Sequence, residues 1–462
     1  MLCKEMRTTA FALTAALTAF TLAGCPSAES PAPSLTALYA GAVDGLPAAI
    51  CVTPGGAGTR HDGETIATDI TWTAAGSPHV ITYTPTVSAT GTLRIEPCAV
   101  VQIQPGYGLA VKGRLEALGT AAQPILITAA DPAQPFSYVE VLGGFADLAY
   151  VTLSGGGAAG PNSDAVLDVW GSSTPLRTEN ARLRHVTISG SMQFGLTLER
   201  SGTLTADSTD VTILGANLGP VMVRGSALVG GLCDGNYTGN GVDEILVIDR
   251  DFMSEDTTWH DRGVPYRIGD ATMNGADFRV GLSSGAALTT WTVEAGATIR
   301  VTPSGRITFS HATTGTTGTI LARGTAARPI VFTSAALAPA PGQWRGLVFD
   351  GAPTPGTALD HVEIRYAGGP SQSSSFHCEA GSAGVTSRDE DAALAFFGEP
   401  AGQVLTNALI ADSAADAVDL AYTGNPVDFL AGNTFTNIAR CRLTLPRTPP
   451  SGACPSPVPA CP

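Results

Sequence analysis

The chain has 462 residues, enough for two or three domains around a sizeable core. Charged residues are only 14%, aromatic residues 6%, and glycine occurs 54 times, a balance that suits many short strands joined by small-residue turns. A formal net charge of −15 argues against holding a phosphate backbone or adsorbing to an anionic lipid surface, so no nucleic-acid partner is expected.

Residues 1–24 read as a signal peptide. Lys4 and Arg7 make a basic start, and the apolar run from Phe11 to Leu22 is too short to span a bilayer. It ends in Leu22-Ala23-Gly24-Cys25, which resembles a bacterial lipobox. The resemblance implies cleavage before Cys25 and lipidation of that residue, several acyl chains at about 0.8 kcal/mol per buried methylene making a stable membrane anchor. No acidic retention signal follows at Pro26-Ser27, so the expected address is the bacterial cell envelope, at the outer membrane. Residues 25–37 form a Pro/Ser/Ala tether.

Beyond the tether the chain is doubled. Asp69-Ile70-Thr71-Trp72 returns as Asp256-Thr257-Thr258-Trp259, and Gly119-Thr120-Ala121-Ala122-Gln123-Pro124 as Gly324-Thr325-Ala326-Ala327-Arg328-Pro329. Tyr237-Thr238-Gly239-Asn240 is echoed by Tyr422-Thr423-Gly424-Asn425. The matches keep chain order, which points to a duplicated unit. Within a unit, Val151-Thr152-Leu153-Ser154-Gly155, Val186-Thr187-Ile188-Ser189-Gly190 and Val211-Thr212-Ile213-Leu214-Gly215 recur, the last two 25 residues apart. Apolar–Thr–apolar alternation is a strand with one inward face, and the glycine permits a corner. Helical periodicity is scarce.

Short strands, Gly/Asn corners and this period resemble the right-handed parallel β-helix of pectate lyases, and more closely the extracytoplasmic bacterial lipoproteins with tandem β-helix units. The expected fold is all-β: two tandem right-handed parallel β-helix (β-solenoid) units, pectin-lyase-like, with two β-sandwiches as the alternative. Unit one, with its N-terminal segment, is expected over residues 38–250 and unit two over 251–446, with a polar loop at 370–391 and a Pro/Cys-rich tail at 447–462. The two Asp-x-Thr-Trp segments are expected to cap the ends of their stacks.

Nine cysteines include Cys3 in the leader and Cys25. The envelope is oxidising, so disulfides are expected among the rest; the sequence leaves their connectivity open, the candidates being Cys454–Cys461, which would close a small loop, and Cys378–Cys441, which would pin the polar loop.

Enzymes on this fold use clustered aspartates or calcium with a basic residue. This chain has no adjacent Asp-Asp pair, and Lys112 is the only lysine after residue 4, so no family catalytic residue can be carried over. Asp234-x-Asn236-x-Thr238-Gly239 starts like a calcium loop but has Ile245 where the bidentate glutamate belongs, and an Asn/Gly corner of the solenoid is the favoured reading, with calcium at Asp234 and Asn236 the alternative. Asp249, Asp251, Glu255 and Asp256 form an acidic run between the units. Arg388-Asp389-Glu390-Asp391 reads as a solvated loop; if functional, Asp389 and Asp391 would support calcium-assisted contact with sugar. His185 and His361 occupy matching places in the repeat and read as lattice positions. No cofactor other than calcium is expected. The expected role is that of a surface-exposed, lipid-anchored protein binding glycan or matrix without catalysis. A polysaccharide lyase or glycoside hydrolase with its site on the outer face of unit one is the alternative, and a scaffold for another envelope protein is a third.

Overall fold

The computed structural model describes residues 51–52, 54–158, 164–172, 178–248, 252–269, 277–282, 287–312, 315–371, 374–375, 388–446 and 461. Over these residues the chain is a parallel β-helix. Each coil contributes short strands that hydrogen-bond to the equivalent strands of the next coil, and the inward residues stack into one continuous core. The only antiparallel strand pairs among the described residues are two two-residue pairs, His311–Ala312 with Gly315–Thr316 and Ser374–Ser375 with Arg388–Asp389.

Alternation fixes which side chains enter the core. In the strand Arg114–Leu118, Leu115 and Ala117 are buried while Arg114 and Leu118 are exposed. Corners are made by residues with left-handed backbone: Gly155 (φ 73°), Gly190 (φ 64°) and Gly215 (φ 65°) at one, Tyr150 (φ 50°), His185 (φ 53°) and Asp210 (φ 53°) at another. His361 repeats the second type at φ 49°, so the two histidines do share a lattice position. The strands Phe145–Ser154 and Thr178–Ser189 bend at these corners and serve two faces each.

Unit one has three faces. Ile125–Ala129 and Val151–Ser154 lie on one, Asp69–Trp72 and Thr92–Ile95 on a second, Val139–Leu142 and Ala165–Trp170 on a third. The third face belongs to a fourteen-stranded sheet that runs from Thr65–Ile66 to Thr434–Ile438, past the expected unit boundary. The duplicated sequences reveal how it crosses. His79–Tyr83, on the first face, is the sequence counterpart of Tyr266–Ile268. Yet Tyr266–Ile268 pairs with Ile245–Ile248, which continues the third face. Likewise Ile125–Ala129 is on the first face, whereas its counterpart Ile330–Ser334 is in the fourteen-stranded sheet. The second unit is therefore advanced by one face relative to the first. Inward apolar residues stack equally well on any face, so the core tolerates the shift.

The advance leaves two sheets without continuation. Unit one's first face ends at Gly235–Asn236, and a five-stranded sheet begins afresh at Thr257–Trp259. Between them the 3-10 turn Ser226–Gly231 plugs the step. Trp259, expected to close the end of a stack, instead lies fully buried at this step, its Nε1 donating to the Ser226 carbonyl at 3.3 Å and its ring 4.9 Å from those of Trp291 and Tyr266. Trp72 holds the matching position on the first strand of its face, covered by His61, whose ring stacks 4.0 Å away. Each tryptophan opens a face, but only Trp72 does so near the end of the helix.

Inside unit two the core turns aromatic. Phe309, Phe349, Phe396 and Phe429 stack along one face with centroid spacings of 4.5, 5.1 and 5.4 Å, close to the spacing of neighbouring strands.

Two disulfides are described, Cys51–Cys98 and Cys441–Cys461. The second replaces both candidate pairings, Cys454–Cys461 and Cys378–Cys441. Which thiols can join depends on Cα atoms brought within about 7 Å, not on closeness in sequence, and the fold sets Cys441 and Cys461 5.4 Å apart. Cys378 and Cys454 lie outside the described residues, as do Cys25, the signal peptide, the tether and Asp249 and Asp251.

Candidate functional site

Two places on the surface gather chemistry. The first is the step between the units, where a groove with a cavity of about 770 Å³ opens, lined by Glu179, Thr203, Asp234, His260, Arg262 and Glu294 among others. A second hollow of about 410 Å³ shares His260 and Gly230 with it and adds Asp256, Thr258, Thr290 and Thr292. Together they form a polar trough. His260 Nδ1 is 3.3 Å from Glu294 Oε2, which also accepts the Asp261 amide at 2.9 Å. Asp261 is held from the other side by Arg328 at 2.9 Å. The Arg262 guanidinium, 7% exposed, donates to Asp234 and to the Leu232 carbonyl. Cys233 beneath is a free, buried thiol pushed up by desolvation, its carbonyl accepting the Tyr237 hydroxyl at 2.7 Å.

The second place is the outer side of the fourteen-stranded sheet in unit one. Glu140 is the register partner of Asp168, Asp168 of Thr197, and Trp170 of Glu199. Strand stacking therefore sets Glu140 and Asp168 about 4.8 Å apart in one row, with Glu199 on the next strand two residues along from Thr197, though 28 or more residues separate them in sequence. All three carboxyls are buried. Burial, helped by the Glu199 charge and opposed by Arg200 and Lys112, raises Glu140 to about 7. Burial pushes Asp168 well above the usual carboxylate range, outweighing the hydrogen bond from Thr197, and its Oδ2 has no hydrogen-bond partner among the described residues. Burial also raises Glu199, against the pull of Arg224, whose Nε donates to it at 2.9 Å while its other arm holds Asp164 at 2.8 Å. Arg200 lies over the Trp170 ring, 4.5 Å from its centroid. Two carboxyls whose charged form burial disfavours thus lie near a third that arginine holds.

Sequence reasoning missed this row because it looked for adjacent aspartates. The available signal was an acidic residue on the outer position of apolar-x-apolar strands, Val139-Glu140-Val141 and Leu167-Asp168-Val169, repeated at the coil period.

The expected metal residues fare differently. Asp234 is taken by Arg262, and Asn236 Oδ1 accepts the amide of Thr238 at 3.0 Å and its hydroxyl at 2.8 Å, an Asx turn at a corner. Asp391 was expected on a solvated loop, but Glu390 and Asp391 are buried, and Asp391 accepts the Ser371 amide at 2.6 Å and lies 3.6 Å from Arg440. The chain re-enters the stack one residue before the strand Ala392–Phe396, which draws both acids inward. Asp389 pairs through its backbone with Ser374, and its side chain lies outside the described residues. Among the described residues no group of three or more His, Cys, Asp or Glu side chains is placed to hold a metal ion.

Residues 279–420 match the sequence profile of the pectate-lyase like beta helix domain family, a stretch that lies wholly within unit two. No curated protein and no solved structure matches the chain.

Proposed function

We propose that the chain is a lipid-anchored protein of the bacterial envelope, attached to the outer membrane through Cys25, that binds glycan without cleaving it in the trough between its two units. The trough carries the reading. It is polar, and offers carboxylates, hydroxyls, an imidazole and a guanidinium from neighbouring coils, which suits a hydroxyl-rich ligand more than an apolar one. The full chain carrying Cys25→Ser, screened against neutral and acidic polysaccharides with and without calcium, should retain at least one. His260→Ala and Glu294→Ala should weaken that binding, and an empty panel would favour a scaffold for another envelope protein. The same Cys25→Ser change should release the protein from membranes, and undiminished retention would count against the anchor.

One observation favours a second reading, glycoside cleavage on the outer face of unit one. Glu140 and Asp168, whose charged forms burial disfavours, stand near Glu199, which Arg224 holds, the division of roles that general acid catalysis with a base or nucleophile requires. New reducing ends in the same screen, abolished by Asp168→Asn and Glu140→Gln, would establish it.

A further inference from the structure

The first coil of the helix carries a chain of four polar groups that its surroundings leave one proton short. His79 Nε2 is 2.9 Å from the Thr73 carbonyl, which can only accept, so this nitrogen carries a hydrogen. Burial holds His79 below the ordinary histidine range and so keeps it neutral; its Nδ1 is then an acceptor. His61 Nε2 lies 3.1 Å from that Nδ1 and must be the donor. A neutral His61 would then turn a lone pair from Nδ1 toward Glu64 Oε1, 2.6 Å away. Two acceptors do not meet at that distance. Either His61 is an imidazolium or Glu64 is protonated.

The setting decides between them. The Glu64 side chain is 39% exposed, so water favours its charged form. The His61 ring lies flat on Trp72 with centroids 4.0 Å apart, a face that attracts a cation. A metal ion in line between the two imidazoles would hold their nitrogens about 4 Å apart, twice a bond of about 2.0 Å, so the bridge at 3.1 Å is a proton. The other charges nearby are accounted for: Glu96 acts on His79 while accepting the Ala74 amide at 3.0 Å, and Arg60 pairs with Asp62 at 2.7 Å on the exposed side of the same strand.

We propose that Glu64, His61 and His79 form a one-proton latch that holds the first coil closed near neutral pH and loosens it when the proton leaves in alkaline solution. Among the described residues the strand Thr59–Asp62 pairs only with His79–Tyr83, and the latch joins those two strands through their side chains. Loss of the proton sets the Glu64 carboxylate against a bare lone pair. Gain of a second would set N–H against N–H between the histidines, and the burial of His79 resists that.

The test uses the full chain with Cys25→Ser, labelled with nitrogen-15 in histidine. At about pH 6.5, near the ordinary histidine midpoint, the signal removed by His61→Gln should show both ring nitrogens protonated. On raising the pH it should lose one proton. Amide protection of residues 59–62 should then fall roughly ten- to a hundredfold beyond the intrinsic rate change, the worth of one hydrogen bond to a charged group. Glu64→Gln supplies an amide donor to neutral His61 and should make protection independent of pH. A neutral His61 at the lower pH overturns the latch. So does a Glu64→Gln profile that parallels the wild type.

Discussion

Glu140 and Asp168 face each other across neighbouring strands of the long sheet, two acids in register on a buried row. The pair ties stability to pH. In the unfolded chain both would ionise near the ordinary carboxylate range, whereas folding holds Glu140 at about 7 and Asp168 well above its usual value. The folded state thus keeps protons the unfolded state has released. The Glu140 contribution is full below its unfolded value and is lost as pH rises through about 7. For Glu140, raised from 4.5 to about 7, the upper bound is roughly 3 kcal/mol, and solvent screening brings the expected loss to about 1–2 kcal/mol. Glu140→Gln should remove that loss, so its urea midpoint should exceed the wild-type midpoint in alkaline buffer and approach it in acid. Asp168→Asn should shift the alkaline midpoint in the same sense, because burial disfavours the Asp168 carboxylate. A wild-type stability that rises between pH 5 and 8 would refute the assignment.

The groove at the unit step depends on close contact between Gly231 and Thr203. A β-carbon at Gly231 would fall 1.8 Å from Thr203 Oγ1. Gly231→Ala should therefore cost about 1–3 kcal/mol, the usual range for overpacking. Thr203→Ala removes the obstructing atom, so the double variant should recover most of the loss in a denaturation cycle. Equal cost in both backgrounds would mean that the contact is not as described.

The phenylalanine stack supports unit two from within. Phe349 touches rings on both sides, at 4.5 Å to Phe309 and 5.1 Å to Phe396, and is 1% exposed. Phe349→Ala should destabilise by about 3–5 kcal/mol, and Phe349→Leu by clearly less, because leucine refills part of the space. The near-ultraviolet dichroism of the aromatic rings should weaken in the alanine variant. An alanine variant as stable as the wild type would argue against a packed stack.

Much of this architecture is legible in the sequence because a β-helix writes its core as local alternation. Val186-Thr187-Ile188-Ser189-Gly190 contains its own strand, its inward face and its corner. The step between units is not legible, because the repeat carries no label for the face on which a strand stacks; His79 and Tyr266 match in sequence and lie on different faces. The sites are hidden for a related reason. Asp234 and Arg262, or Glu140 and Asp168, become neighbours only when coils stack, and a linear search for adjacent acids or calcium loops passes over them. Trp259 misled in the same way: an opening motif marks the start of a face, and that start coincides with an exposed end only in unit one.

The cysteines offer a direct chemical check. Cys51–Cys98 closes a loop across a sequence separation of 47, and chain entropy gives such a cross-link about 3–4 kcal/mol. Cys51→Ser with Cys98→Ser should lower stability by that order. A non-reduced digest should yield one linked peptide joining Cys441 to Cys461; a Cys454–Cys461 link would contradict the fold at its C-terminal end. Cys233 is the contrasting case. Burial raises its thiol, so little thiolate forms near neutral pH, and the thiolate is the species that reacts. Iodoacetamide should leave Cys233 unmodified in the native chain and label it once urea unfolds unit one. Rapid labelling of the native protein would mean that the floor beneath the trough is open, and the trough would then be deeper than the one described.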